Sequence, residues 1–261
     1  MAMALQLPVV EAPTRADFFR LYVKKSQPVV LKGAIRDWPA IGKWSPGYLR
    51  QTFGSREVPV AEANAHGHFY DEKKGFHYAR WKIADYVDAL EGEHPAAQYL
   101  SAPVTEFLPE LFHDIRIPAY CARSSWARSR FWFAGRGTVT PMHRDLPENL
   151  YAQVSGRKRF IFFHRRETRN MYSHSPFSGV PNESRVDPEK PDLKRFPRFS
   201  RATRYECLVE SGDLLYIPSL WWHHATALET SLSINLWWAD GLLAVPVRAA
   251  ALFGTLRQLK L

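Results

Sequence analysis

A chain of 261 residues with 46% hydrophobic and 14% aromatic content has ample material for a buried core, as one large β-rich domain or two small ones. Its formal charge of +9 implies an acidic partner, nucleic acid included, or an unspecialised basic surface. No window approaches eighteen consecutive apolar residues, which excludes a membrane-spanning helix, and Met1 to Arg15 lacks a basic segment followed by an apolar run. Cys121 and Cys207 stand far apart in no metal-ligand spacing. We therefore expect a cytoplasmic protein with buried thiols rather than a disulfide.

In chain order, Thr14 is an N-cap for a helix to Lys24 that carries Phe18, Phe19, Leu21 and Tyr22 in helical spacing. Pro28 to Gly33 reads as a strand, Trp38 to Trp44 as a turn region and Ser45 to Phe53 as a short helix. Val58 to Ala61 and Gly75 to Arg80 read as strands, Ile83 to Leu90 as an amphipathic helix, Ala97 to Leu100 as a strand, and Glu106 to Phe112 as helical. From Ser129 the pattern turns to strands and turns. Phe131 to Ala134 leads into Thr138 to His143, and Asn149 to Val154 and Lys158 to Phe163 flank a Ser155-Gly156 turn as a β-hairpin. Residues 164–203 form a long Pro- and Arg-rich connection. Strands resume at Tyr205 to Val209, Leu214 to Ile217, His224 to Ala227 and Ser231 to Trp237, and Leu242 to Leu261 is helical in composition. This order suggests a double-sheet barrel with an α/β N-terminal portion.

The chemistry concentrates in Pro141-Met142-His143-Arg144-Asp145. Side chains two apart on a strand share a face, so His143 and Asp145 can aim at one point. A histidine from the distant Trp221-Trp222-His223-His224 stretch can complete two histidines and a carboxylate, a set suited to non-haem iron(II) with positions left open. His223 as a hydrogen-bonded histidine beside the core is the alternative. Parity adds a second cue. Ser231, Ser233, Asn235 and Trp237 alternate with Leu232, Ile234, Leu236 and Trp238, as on a solvent-exposed strand or in a barrel interior that holds a polar ligand.

Thr138 through Asp145, Gly156-Arg157-Lys158-Arg159 and Gly212-Asp213-Leu214-Leu215-Tyr216-Ile217-Pro218 through His223 resemble the cupin-like JmjC family of Fe(II)- and 2-oxoglutarate-dependent oxygenases. The resemblance runs from Pro28 to about Trp238. It extends to the family's asparaginyl hydroxylase of hypoxia-inducible factor and its tRNA wybutosine hydroxylase, the latter through Lys190-Pro191-Asp192-Leu193 and Arg204-Tyr205-Glu206-Cys207. It implies a mainly β fold, a double-stranded β-helix or jelly roll. A single domain follows, with an α/β portion over 1–128, a barrel core over 129–240 and a short C-terminal helix over 241–261. It further implies iron held by His143, Asp145 and His223, with His224 turned to the opposite face. Lys158, with the hydroxyls of Thr140 and Tyr99, would meet the distal carboxylate of 2-oxoglutarate, and Asn149 and Asn235 would lie near its metal-binding end. Oxygen is the remaining co-substrate, and Trp221, Trp222 and Trp237 could form a dry wall.

Such a site serves several substrates. A protein or peptide side chain is our first expectation, then an RNA base, then a small molecule, and methyl removal would begin with the same hydroxylation. The interval 157–204 carries thirteen Lys or Arg against five acids, which could track phosphates. A non-catalytic metal-binding cupin is the rival from another class; Lys158 argues against it, since a scaffold needs no co-substrate anchor. Leu252, Leu256 and Leu259 could pair two chains as a homodimer or pack on the chain's own barrel.

Overall fold

The computed structural model describes residues 4–64, 69–121 and 129–239. The chain opens with β1 (Leu5–Gln6) and β2 (Val9–Glu11). Helix α1 (Arg15–Phe18) follows, its N-terminus closed by the Thr14 side chain accepting the Asp17 amide, and it continues as a π-helical turn over Phe19–Val23. Then come β3 (Val29–Lys32), α2 (Pro46–Phe53) capped by Ser45, β4 (Glu57–Glu62), β5 (Tyr70–Asp71) and β6 (Gly75–Phe76). Next are β7 (Tyr78–Lys82), α3 (Ile83–Leu90), β8 (Gln98–Pro103) and α4 (Val104–Phe107). The helix expected over Glu106 to Phe112 breaks at Pro109, whose ring cannot continue it, and resumes as a 3-10 turn over Pro109–Asp114. The strand expected over Gly75 to Arg80 divides into β6 and β7.

The second half supplies β9 (Arg130–Ala134), β10 (Val139–Arg144), β11 (Glu148–Ser155), β12 (Lys158–Phe163), β13 (Tyr205–Val209), β14 (Leu214–Ile217), β15 (Trp222–Ala227) and β16 (Ser231–Trp238). Two sheets result. The smaller has the order β1-β13-β12-β15-β10, and the larger has the order β2-β3-β14-β11-β16-β9-β8-β4-β7. They face each other as a double-stranded β-helix. The expected C-terminal helix, with Leu252, Leu256 and Leu259, lies outside the described residues.

One local reading is overturned. β11 and β12 are not a hairpin: β11 pairs with β14 and β16 in the larger sheet, β12 with β13 and β15 in the smaller. Both strands are largely buried on two faces, and each has its two strand neighbours within its own sheet. Gly156 makes the crossing between sheets, at φ +73 and so close to the β15–β16 connection that a Cβ would stand 2.3 Å from the Thr230 carbonyl oxygen.

Strand parity now divides interior from exterior. Leu232, Ile234, Leu236 and Trp238 join Leu150, Ala152, Phe131 and Phe133 against Phe18, Leu49, Phe53, Tyr86 and Val87 of the N-terminal helices. Ser231, Ser233 and Asn235 are buried too, on the face turned toward the smaller sheet, so the solvent-exposed alternative fails. The smaller sheet's outer face is covered by residues 164–203, where Met142, Ile161, Phe163 and Trp222 pack under Met171, Phe196 and Phe199. Four layers thus stack, and the interior between the sheets is polar around Ser233 and Asn235 and apolar around Val30, Phe160, Phe162, Leu215 and Trp221.

Candidate metal centre

β10 and β15 are antiparallel neighbours with His143 directly opposite His223, after a register shift between Thr140 and His143. Their rings lie 4.1 Å apart between centroids. Each ring is oriented by a carbonyl two residues upstream: His143 Nδ1 lies 2.8 Å from the Pro141 oxygen and His223 Nδ1 3.0 Å from the Trp221 oxygen. Donation from Nδ1 leaves the Nε2 lone pair of both rings free, the tautomer a metal ligand requires. Both Nε2 atoms come to 3.9 Å from an Asp145 carboxylate oxygen. One atom from each of the three residues lies within 4.8 Å of the others, so the trio could hold a metal ion.

Asp145 is fixed from several sides. Its Oδ2 accepts from Trp237 Nε1 at 3.1 Å and from Asn149 Nδ2 at 3.3 Å, and Asn235 Nδ2 donates to Asn149 Oδ1 at 2.8 Å. Its backbone oxygen takes the Leu220 amide at 2.8 Å, and Leu220 sits at φ +64, an uncommon conformation for a branched side chain. That turn brings the strand carrying His223 against the residue after β10. Burial opposes a charge on His143, but Glu183 and Asp145 outweigh it and raise its pKa; burial and the neighbouring His143 push His223 down to about 4.

The same cleft contains a buried cation. Lys158 is 2% exposed and forms no salt bridge among the described residues; its ammonium donates to the Tyr99 hydroxyl at 3.2 Å and stands over the Tyr99 and Tyr151 rings. Thr140 Oγ1 donates to the same Tyr99 oxygen at 3.3 Å. Burial pulls the Lys158 pKa down to about 7. All eight residues singled out from the sequence, His143, Asp145, His223, Lys158, Thr140, Tyr99, Asn149 and Asn235, line this narrow cleft of about 40 Å3. It shares walls with an outer pocket of about 240 Å3.

The expected tryptophan wall needs correction. Only Trp237 of the three lines the cleft. Trp222 lies on the outer face of the smaller sheet, donating to Thr168 Oγ1 at 3.2 Å beneath the Arg144 guanidinium. Trp221 packs in the apolar cluster between the sheets, against His164 and Tyr205. Alternation on β15 and the turn at Leu220 explain the split, and Trp132 of β9 supplies the second indole instead. His224 faces away from the metal trio, buried next to Thr226.

Glu183, from the 164–203 connection, was not foreseen. It forms an isolated bridge with His143, is 6% exposed, and lines the outer pocket. Burial pushes its pKa up to about 7, with His143 opposing and Asp145 adding to the rise. The only signal in the sequence was an acid in a basic stretch without periodicity.

A double-stranded β-helix with two histidines and a carboxylate at one end of its interior defines a cupin. The chain belongs to the cupin-like JmjC family: the model of the cupin-like domain matches residues 15–242. It is 34% identical over 239 residues to lysine-specific demethylase 8 of Xenopus tropicalis, covering 89% of this chain and 53% of that protein. It is 30% identical to the human bifunctional peptidase and (3S)-lysyl hydroxylase JMJD7, covering 91% and 85% of the two chains. It is also 30% identical to tRNA wybutosine-synthesizing protein 5 of Gallus gallus, covering 90% and 77%. The chain thus spans little more than half the length of the first of these relatives.

Proposed function

We propose that this protein is an Fe(II)- and 2-oxoglutarate-dependent oxygenase that hydroxylates a C–H bond in a protein or peptide side chain. The observation that carries the proposal is the ammonium of Lys158, without a carboxylate partner among the described residues and buried in the cleft that also holds His143, Asp145 and His223. A buried cation without a counter-ion is costly, and a dicarboxylate would complete it. The donor set suits iron(II), which when bound supplies the oxidising chemistry that couples decarboxylation of 2-oxoglutarate to hydroxylation.

The chain's own residues do the rest. Lys158, Tyr99 and Thr140 bond to one another across the end of the cleft, and an arriving carboxylate takes over those donors. Asn149 and Trp237 hold Asp145 in orientation through Oδ2, leaving Oδ1 for the metal. Trp132, Phe160, Ile217 and Trp237 line the cleft and keep water from it.

A protein side chain fits an outer pocket of about 240 Å3 and agrees with the lysyl hydroxylase and lysine-specific demethylase named among the relatives. Removal of an N-methyl group would start with the same hydroxylation. An RNA base, as the wybutosine relative suggests, has less support in the basic segment: Lys158 points inward, and Arg157, Arg159 and Arg204 are paired with Glu229, Glu189 and Glu206. We place the protein in the cytoplasm.

The test is succinate formation from 2-oxoglutarate by purified protein with Fe(II), ascorbate and oxygen. Turnover should be blocked by 2-oxoglutarate analogues and abolished in His143→Ala, which should keep its far-UV circular dichroism. A wild-type protein that binds neither Fe(II) nor 2-oxoglutarate would instead be a non-catalytic cupin.

A further inference from the structure

We infer that Glu183 reads the charge of the prime substrate, and that this substrate presents a protonated amine or guanidinium to the outer pocket. The inference rests on the reading of the inner cleft as the co-substrate's seat, which leaves the outer pocket for the substrate.

Glu183 Oε2 is buried and has no hydrogen-bond partner, in a side chain more than nine-tenths buried. Native interiors rarely leave a carboxylate oxygen unmet, and when they do, a ligand is one explanation. The backbone holds Glu183 firmly: its amide donates to Val180 O at 3.1 Å, its carbonyl accepts the His174 amide at 3.0 Å, and the adjacent Asn182 carbonyl accepts the Arg144 amide at 3.2 Å. The carboxylate is therefore held beside His143 rather than free to swing outward to water.

No lysine or arginine among the described residues occupies this place, and the adjacent His143 is neutral when it serves as a metal ligand. Two arginines border the pocket, and both are engaged elsewhere. Arg130 Nη1 donates to the Ser101 carbonyl and hydroxyl, and Arg144 stacks over Trp222 on the opposite face of its strand. Much of the remaining wall is aromatic, with Phe69, Phe76, Tyr78, Trp132 and Trp237, and the pocket's other carboxylate, Asp145, is already engaged by Trp237 and Asn149 in the metal trio. Aromatic faces around the unmet Glu183 carboxylate favour a cation carried on an apolar stem, through cation–π attraction and a charge-assisted hydrogen bond. A neutral donor would meet Oε2 without the attraction between opposite charges, and an anionic group would be repelled. At the mouth, Phe76 and Tyr78 are 43% and 42% exposed, and the β5–β6 ribbon that carries Phe76 is tied to the connection by Gly179 N donating to Glu72 O at 2.8 Å. The element that supplies Glu183 thus also positions the pocket's rim.

Two pairs of near-isosteric probes test this: N-acetyl-arginine methylamide against its citrulline counterpart, and N-acetyl-lysine methylamide against its 2-aminoheptanoic acid counterpart. Each is titrated by NMR into the full chain loaded with Zn(II), a redox-inert stand-in. In the wild type the charged member of at least one pair should bind about tenfold or more tightly than its neutral partner. In Glu183→Gln the ratio should fall toward one, a change in selectivity that a merely structural role would not produce. Glu183→Asp should retain part of the preference. Equal affinity within both pairs in the wild type overturns the inference without any variant, and so does a preference that survives in Glu183→Gln. Binding of 2-oxoglutarate is measured separately: its absence would sink the proposed function, whereas its presence beside charge-blind probes would sink only the role of Glu183.

Discussion

An ammonium buried between the Tyr99 and Tyr151 rings without a carboxylate beside it opposes folding, and burial accordingly lowers the Lys158 pKa to about 7. The consequence for stability has a definite sign. Unfolded, the side chain keeps its proton up to about 10.5. Between pH 7 and 10.5 the unfolded state therefore binds more protons, and stability rises with pH; below 7 both states are protonated and the penalty is present in full. Lys158→Met removes the charge and keeps the stem. Metal-free Lys158→Met should melt higher than wild type at pH 7, by roughly 3–8 °C if about 1–3 kcal/mol is recovered. The gap should close as pH approaches 10.5, while calorimetry should show 2-oxoglutarate affinity reduced about 100-fold or more. A lower melting temperature for the variant at pH 7 would mark Lys158 as a structural residue. His143 and Asp145 were legible as a pair because they stand two apart on one strand, whereas Lys158 was singled out by the family resemblance alone. Glu183 was not legible, because its meaning comes from a fold-back across some forty residues of connection.

Elements were read well where one pattern fixes them and poorly where pairing is decided elsewhere. α3 matches its expected range of Ile83 to Leu90, because four buried positions, Ile83, Tyr86, Val87 and Leu90, fall at helical spacing. The extents of β11 and β12 were also close, yet their relation was wrong. A short glycine turn between apolar strands reads the same whether the strands pair or part to opposite sheets. Gly156 offers a direct test of the crossing, with Gly42 as its control. Both have positive φ, +73 and +80, but a Cβ at Gly42 meets nothing within 4 Å, whereas at Gly156 it stands 2.3 Å from Thr230 O. Gly42→Ala should cost about 1 kcal/mol from backbone strain alone. Gly156→Ala should cost about 2–4 kcal/mol, since the backbone of the 228–231 connection must move as well. Urea denaturation of both variants measures the difference; equal costs would mean that the close approach adds nothing.

At the scale of the molecule, strand membership is what sequence alone concealed. The break in pattern at Ser129 suggested an α/β portion followed by a barrel, yet the larger sheet runs through that point without interruption. β8 pairs with β9 from Tyr99↔Ala134 to Pro103↔Arg130, and β3 pairs with β14 from Leu31↔Leu214 to Val29↔Tyr216. Tyr86 reaches across the same join, donating to Phe133 O and accepting the Leu100 amide. The N-terminal helices cover the outer face of β11, β14 and β16, and Tyr99 reaches the cleft from β8. A chain beginning at residue 129 would expose the apolar face that holds Leu150, Ala152, Leu232, Ile234 and Trp238, and would leave the edges of β9 and β14 unpaired. It would also lose the hydroxyl that meets Lys158. We therefore expect that the 129–261 fragment does not fold alone, and that the full chain unfolds in one transition in which far-UV dichroism and tryptophan fluorescence coincide. The two probes can disagree in only one informative way. If dichroism falls first while fluorescence of the interior tryptophans persists, the N-terminal helices peel from a barrel that stands by itself, and the shared sheet is not what makes the molecule cooperative.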